Sequence, residues 1–269
     1  MADWRRTTVL IKRSLTAAIA IPIVVGAIYL GPEVFTGLVT LAVIGLVLEF
    51  ARISESAGAR PLMPVLMVYA VAMPVILRFM GSVPAVLWMI LLFGTVMAAK
   101  ILDYEKATLG RLGATILGFL YVGFLPAMLT LTYSEHLGPL PLLMVFISVW
   151  VADSSAYAVG MLFGRTPLAP ALSPKKSVEG AVGSIVVSAA VIGLLWFWSD
   201  LTVFERALFG GAVALAAIFG DLFESALKRE AGVKDSGAVL PGHGGLLDRV
   251  DSLLAVAPLS YFLLLIWLG

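Results

Sequence analysis

Long apolar stretches, almost free of charged residues, alternate along this chain with short polar connections. A transmembrane helix needs about 20 mainly apolar residues. Stretches of that kind predict about nine spans. Their predicted bounds are 14–31, 33–48, 62–80, 84–99, 112–133, 139–162, 180–198, 205–226 and 251–268. The pattern therefore predicts an all-α, polytopic integral membrane protein.

Two features leave the number of spans open. The second and fourth stretches are short enough to be tilted or partly re-entrant, so eight or ten spans stay as alternatives. The basic residues before the first stretch resemble the start of a signal peptide. No cleavage site or soluble chain follows, and we interpret 14–31 as the first span.

Composition agrees with a membrane location and limits the chemistry. The chain is 61% hydrophobic and 13% charged, whereas soluble domains are about half apolar and a quarter charged. A net charge of +1 gives no overall attraction to nucleic acid. Without cysteine, any metal must be bound by carboxylate or histidine.

The positions of the basic residues predict the orientation. Cytoplasmic connections carry an excess of Lys and Arg. With the N-terminus inside, all but two of the 18 basic residues lie on the cytoplasmic side, the exceptions being Arg78 and Arg206. The long polar connections 49–61, 99–111, 163–179 and 227–250 then face the cytoplasm. We expect residues 1–269 to form a single membrane domain in the inner (cytoplasmic) membrane, with active-site elements in 150–180 and 219–252.

Ionisable side chains inside predicted spans mark candidate sites, because they are costly in lipid. Asp153 lies in an otherwise apolar span; it is either a site residue or an acid that pairs with a neighbouring helix. Asp221, Glu224, Ser225 and Lys228 share one helical face at the end of the eighth span. Two carboxylates on one turn suit an oxygen-liganded cation such as Mg²⁺, whereas basic residues alone would indicate only a helix end at the interface.

A glycine-rich segment, 241–251, leads into the last span. Its glycines at 242, 244 and 245 let backbone N–H groups approach an anion. Asp248 and Asp251 put a second carboxylate pair on one helical face, although one of them could instead cap the helix. The two pairs predict a metal centre with bridging phosphate. A third segment, 173–180, has two lysines that are either topology markers or phosphate ligands.

The run from Ser225 to Asp251 resembles the signature of the phosphatidate cytidylyltransferase (CDP-diglyceride synthase) family. The matching positions are Ser225, Leu227, Lys228, Arg229, Lys234, Asp235, Gly237, Leu240, Pro241, His243, Gly244, Gly245, Leu246, Asp248, Arg249, Val250 and Asp251. The segment Ser173-Pro174-Lys175-Lys176-Ser177-x-Glu179-Gly180 is also similar to the family's. Residues 1–135 carry little of the likeness.

The resemblance implies transfer of a cytidylyl group from CTP to phosphatidate, which gives CDP-diacylglycerol and diphosphate and depends on Mg²⁺, with K⁺ as a second ion in some members. The expected partners are CTP, phosphatidate and the lipid bilayer, with a homodimer left open and no nucleic acid. Because phosphatidate is already ionised near neutral pH, no general base is required, and we expect His243 to donate a hydrogen bond.

Together, the motifs and the resemblance indicate the following roles. The expected catalytic residues are Asp221, Lys228, Arg229, Asp248 and Asp251. The expected metal ligands are Asp221, Glu224, Asp248 and Asp251. The expected phosphate-binding residues are Lys175, Lys176, Ser177, Ser225, Lys234, His243, Gly244, Gly245 and Arg249. Further candidate site residues are Asp153, Glu179 and Asp235. We expect Lys175 and Lys176, in a loop separate from the carboxylates, to affect mainly KM.

Two other functions fit part of the pattern. A CTP-dependent polyprenol kinase would also need a metal and anionic substrates. A secondary transporter would need polar residues near the middle of the membrane in both halves of the chain, whereas here they cluster at the cytoplasmic ends of the later spans.

Overall fold

The computed structural model describes residues 20–133, 138–195, 200–237 and 244–268. The helices are α1 (Ala20–Leu30), α2 (Pro32–Ser56), α3 (Met63–Met80), α4 (Ser82–Leu102), α5 (Leu109–Gly118), α6 (Leu125–Ala127), α7 (Leu140–Phe163), α8 (Val178–Gly193), α9 (Val203–Glu230) and α10 (Leu247–Leu268). A π-helical turn, Phe119–Phe124, joins α5 to α6, and a 3₁₀ turn, Met128–Leu131, follows α6. Two short strands, β1 (Pro167–Ala169) and β2 (Ser173–Ser177), form an antiparallel hairpin.

Seven segments of the described chain are long and apolar enough to cross a membrane. They are α2, α3, α4, Leu109–Leu131, α7, α9 and α10. The helices at the second and fourth predicted spans, α2 and α4, are 25 and 21 residues long, so both are of full spanning length. The other two predicted spans, 14–31 and 180–198, overlap the shorter apolar helices α1 and α8; residues 14–19 and 196–198 of these predictions lie outside the described residues. The chain is a multi-pass membrane protein, and the count of nine stays a prediction.

The exposed surface of α4 agrees with contact to lipid. Only 17% of the 18-residue apolar stretch of this helix is buried inside the protein. Large apolar side chains such as Ile90, Leu91 and Phe93 are more than half exposed. In a bilayer these side chains would meet acyl chains rather than water, so their exposure has no cost there.

Contacts divide the chain into two compact units. The first contains the described residues up to Thr130 together with those of Ala231–Arg249, and in it α3 packs against α2, α4 and the π-helical turn. The second contains Leu131–Glu230 and the chain from Val250 onward, and in it α8 packs against both α7 and α9. That the chain functions as one membrane domain stays a prediction.

Small residues allow the helices of the second unit to pack closely. A Cβ on Gly183 would lie 2.5 Å from a methyl carbon of Val159 on α7. A Cβ on Gly210 would lie 2.4 Å from the carbonyl oxygen of Ser188 on α8. Close packing of this kind is the main source of helix association in lipid, where apolar burial gives little advantage. These contacts fix α7, α8 and α9, which carry or adjoin several predicted site residues.

Candidate functional site

Three aspartates from three helices of the second unit lie within electrostatic range of one another. Asp153 comes from α7, Asp221 from α9 and Asp251 from α10. Asp221 repels Asp153, and Asp251 experiences repulsion from both of the others. The sequence predicted that Asp221 and Asp251 act together and named Asp153 only as a further candidate. The structure groups all three, and we call them the carboxylate cluster.

Lys176 supplies a positive charge to this cluster. Its Nζ lies 2.5 Å from Oδ2 of Asp221, and its side chain is 25% exposed. The ammonium also attracts Asp153 and Asp251. The expectation that Lys176 lies in a loop separate from the carboxylates is therefore wrong, because the hairpin brings the end of β2 to α9. Lys175, its neighbour in the strand, is exposed.

Close backbone packing and two serines hold the cluster. Gly220 lies so near α10 that a Cβ there would be 2.5 Å from the carbonyl oxygen of Asp251. The hydroxyl of Ser225 is 3.4 Å from Oδ1 of Asp221, and the hydroxyl of Ser252 is 3.5 Å from Oδ1 of Asp153. Ser225 was expected to bind phosphate; in the structure its hydroxyl faces Asp221.

The hairpin is fastened at both ends. Ser177 caps α8, because its Oγ accepts the N–H of Gly180 at 3.1 Å. Glu179 accepts the backbone N–H groups of Arg165 and Thr166 and the hydroxyl of Thr166. These hydrogen bonds lower the pKa of the exposed Glu179 carboxyl to about 2, so it stays ionised at neutral pH. Arg229 also holds the hairpin, since its Nε donates to the carbonyl oxygen of Leu172 at 3.2 Å.

Glu224 and Lys228 form a separate ion pair on α9. Oε2 of Glu224 lies 2.6 Å from Nζ of Lys228, and Glu224 is almost fully buried. Glu224 was expected to be a metal ligand or a group beside one, and Lys228 to contact phosphate. In this conformation they engage each other, and both roles stay predictions.

Asp248 lies in the first unit, where its Oδ2 accepts three hydrogen bonds. The donors are the N–H of Ser236 at 3.0 Å, the hydroxyl of Ser236 at 2.9 Å and the N–H of Gly245 at 2.8 Å. Gly244 has φ +81°, a conformation that suits glycine. The N–H of Gly245 was expected to bind a ligand anion; here it binds the carboxylate of Asp248.

Lys234, Asp235 and Arg249 are exposed. His243 lies outside the described residues, so its expected hydrogen bond stays a prediction.

Sequence reasoning missed Glu49, which is fully buried on α2. Its Oε1 accepts the N–H of Leu246, and its Oε2 accepts the N–H of Leu247, both at 2.8 Å. Its Oε2 also lies 3.1 Å from the hydroxyl of Ser236. A signal was present, because an acid inside an apolar helix is unusual; the predicted span ended at 48, one residue before it.

The donor atoms of the carboxylate cluster suit a hard divalent cation. Within the described ranges, no three carboxylate or histidine side chains are grouped as a ready-made metal cage. Mg²⁺, however, usually binds through one or two carboxylates together with waters and substrate phosphates. Asp221 and Asp251 offer only oxygen atoms and excess negative charge, so they fit such a partial site.

Comparison with known proteins gives one family. Residues 11–267 match the family model described as "Cytidylyltransferase family". A Synechocystis protein named phosphatidate cytidylyltransferase is 31% identical over 96% of this chain and 97% of its own length. An Arabidopsis thaliana protein named phosphatidate cytidylyltransferase 5, chloroplastic, is 32% identical over 93% of this chain and 71% of its own.

A further relative matches more strongly over a shorter stretch. A Thermotoga maritima protein named phosphatidate cytidylyltransferase is 43% identical over 54% of this chain and 56% of its own length. The chain thus spans about half the length of that relative and of a Haemophilus influenzae relative of the same name.

Proposed function

Since the chain belongs to the cytidylyltransferase family, we propose that it is a phosphatidate cytidylyltransferase that converts CTP and phosphatidate into CDP-diacylglycerol and diphosphate. The observation that carries this proposal is the carboxylate cluster with Lys176 at its edge, in a chain that matches the family along nearly its whole length. A site of this charge pattern suits the joining of two phosphate-bearing substrates.

The reaction sets clear demands on the residues. A phosphate oxygen of phosphatidate forms a bond to the α-phosphorus of CTP, and the bond from that phosphorus to the bridging oxygen of the leaving diphosphate breaks. Both substrates are anionic, so cationic groups must offset their repulsion. Lys176 is placed to offer an ammonium beside Asp221. Arg229 holds the turn of the hairpin that carries Lys176.

We propose that Asp221 and Asp251 hold Mg²⁺, with Asp153 adding negative charge beside them. When bound, Mg²⁺ neutralises phosphate oxygens and lets the two substrates approach. K⁺ as a second stimulating ion, Asp248 as a further ligand and a homodimeric state are also part of the proposal that the family resemblance supports. Size-exclusion chromatography with light scattering tests the dimer.

The proposed function is tested by measuring which phosphate of CTP is transferred to the lipid. Purified protein and Mg²⁺, with and without K⁺, are incubated with phosphatidate or, in a separate reaction, with a polyprenol. Each reaction receives CTP labelled at the α-phosphate or, in parallel, at the γ-phosphate. We expect only the α label to be extracted into organic solvent. Transfer of the γ label to a polyprenol acceptor would instead identify a lipid kinase. No transfer of either label would contradict both activities.

We propose that the N-terminus and the segments 163–179 and 227–250 face the cytoplasm of a cytoplasmic membrane. In this cysteine-free chain, Ala171→Cys in the hairpin turn and Ser82→Cys at the start of α4 are matched probes, since both positions are exposed. An impermeant thiol reagent added to intact cells should label Ser82→Cys at least tenfold more than Ala171→Cys. The reverse ratio would overturn the orientation.

A further inference from the structure

Glu49 links α2 to the start of α10, almost 200 positions further along the chain. The first N–H groups of a helix have no partner inside the helix. At α10 the N–H of its first residue, Leu247, and the N–H of the preceding residue, Leu246, are accepted by the two carboxylate oxygens of Glu49 at 2.8 Å. A buried carboxylate needs such donors, and a helix N-terminus favours negative charge. Glu49 therefore serves as the anion at this helix end.

The surrounding backbone leaves space for this carboxylate at two glycines. A Cβ on Gly237 would lie 2.9 Å from Oε1 of Glu49. A Cβ on Gly245 would lie 2.5 Å from Oε2 of Glu49 and 1.9 Å from Oγ of Ser236. Gly237 and Gly245, two positions of the family-like signature, thus lie against Glu49 where a larger residue would clash with its carboxylate.

Ser236 connects Glu49 to Asp248. Its buried hydroxyl lies 3.1 Å from Oε2 of Glu49 and 2.9 Å from Oδ2 of Asp248. One hydroxyl proton can be donated to only one of these carboxylates at a time. Asp248 also accepts the N–H groups of Ser236 and Gly245. The position of Asp248 thus depends on the same short segment that Glu49 fixes.

We propose that Glu49 is a positioning residue for the reaction. Through Ser236 it fixes the position of the Asp248 carboxylate, and through the N–H groups of Leu246 and Leu247 it fixes the first turn of α10. The activity part of this inference rests on the proposed function. The anchoring part rests on the hydrogen bonds alone.

Glu49→Gln is the primary test, because glutamine keeps the size of the side chain and turns one acceptor into a donor. That donor would face the N–H of Leu246 or Leu247. We expect amide hydrogen exchange in the peptide that covers 244–250 to become at least tenfold faster. We expect kcat, measured on the monodisperse, folded fraction of the protein, to fall at least tenfold. KM for CTP and for phosphatidate should stay within twofold of the wild-type values.

Glu55→Gln is the matched control. It removes the same charge from the same helix, at an exposed position that pairs with Arg60. Glu55→Gln should leave the amide hydrogen exchange of 244–250 unchanged, and kcat and KM as well. A purely structural role of Glu49 would lower the yield of folded protein without a kcat loss per folded molecule, and that outcome would overturn the positioning role. Wild-type exchange rates in Glu49→Gln would overturn the anchoring.

Ser236→Ala keeps the test decisive if Glu49→Gln does not fold. It removes the hydroxyl between the two carboxylates and leaves the N–H contacts of Glu49 in place. We expect kcat to fall severalfold. Exchange in 244–250 should stay near that of the wild type except at Asp248, whose N–H donates to Oγ of Ser236 at 3.3 Å; unchanged kcat would count against the link. If the wild-type protein transfers no cytidylyl group, the proposed function fails, and exchange in the glutamine variant alone decides the anchoring.

Discussion

Asp221→Asn should lower kcat by about 10²- to 10³-fold, the range found when one preorganised electrostatic group is removed from an active site. Asp221 pairs with Lys176 and interacts with both other members of the carboxylate cluster. Asparagine has nearly the same shape but no charge, so the loss would report the electrostatics of the site rather than its packing. Initial rates of labelled lipid formation, measured with both substrates varied, give kcat and KM.

Asp103→Asn is the matched control for this change. Asp103 lies in the polar connection after α4, where it pairs with the exposed Lys106. Its loss should leave kcat within about twofold, because exposed ion pairs contribute about 0–1 kcal/mol. Both variants should elute from gel filtration like the wild type. A wild-type rate in Asp221→Asn would remove Asp221 from the catalytic residues.

The membrane helices could be predicted because each is a local property of the sequence. A stretch of about 20 apolar residues must form a helix in lipid, since every backbone polar group needs an internal partner there. All nine predicted spans overlap a described helix, although two of these helices are short. The boundaries were less accurate, because hydropathy falls at a charged residue while the helix continues. α2 runs to Ser56, well beyond the predicted end at 48.

That boundary error explains why Glu49 was missed. Assigned to a polar connection, it looked like an ordinary solvated acid. Inside α2 it is fully buried and accepts N–H groups from residues almost 200 positions away. The spacing of residues along the sequence cannot predict a contact between positions so far apart unless the fold is known.

The glycine-rich segment shows a second limit of sequence reasoning. The sequence predicted glycines that expose backbone N–H groups to an anion, but composition cannot identify the anion. For Gly245, Leu246 and Leu247 the anions are the carboxylates of Asp248 and Glu49. By contrast, helical spacing alone placed Asp221 and Ser225 on one face, where the structure also has them in contact.

Lys176→Met should lower kcat by at least about tenfold, in contrast to the KM effect that the sequence suggested. The ammonium lies against Asp221 and attracts the other two carboxylates. Without it, three mutually repelling carboxylates would remain, and their repulsion grows as the local dielectric constant falls. The cluster would then rearrange or take up protons, and either change alters groups that act in the transition state.

Lys175→Met provides the comparison within the same strand. Lys175 is exposed and one residue away, so any phosphate that it binds should be held equally in the ground and transition states. We expect its loss to raise KM for CTP or phosphatidate severalfold with kcat retained. Lys176→Arg, which keeps the charge, should recover part of the rate lost in Lys176→Met. A variant Lys176→Met that raises only KM would restore the assignment of Lys176 as a simple phosphate-binding residue.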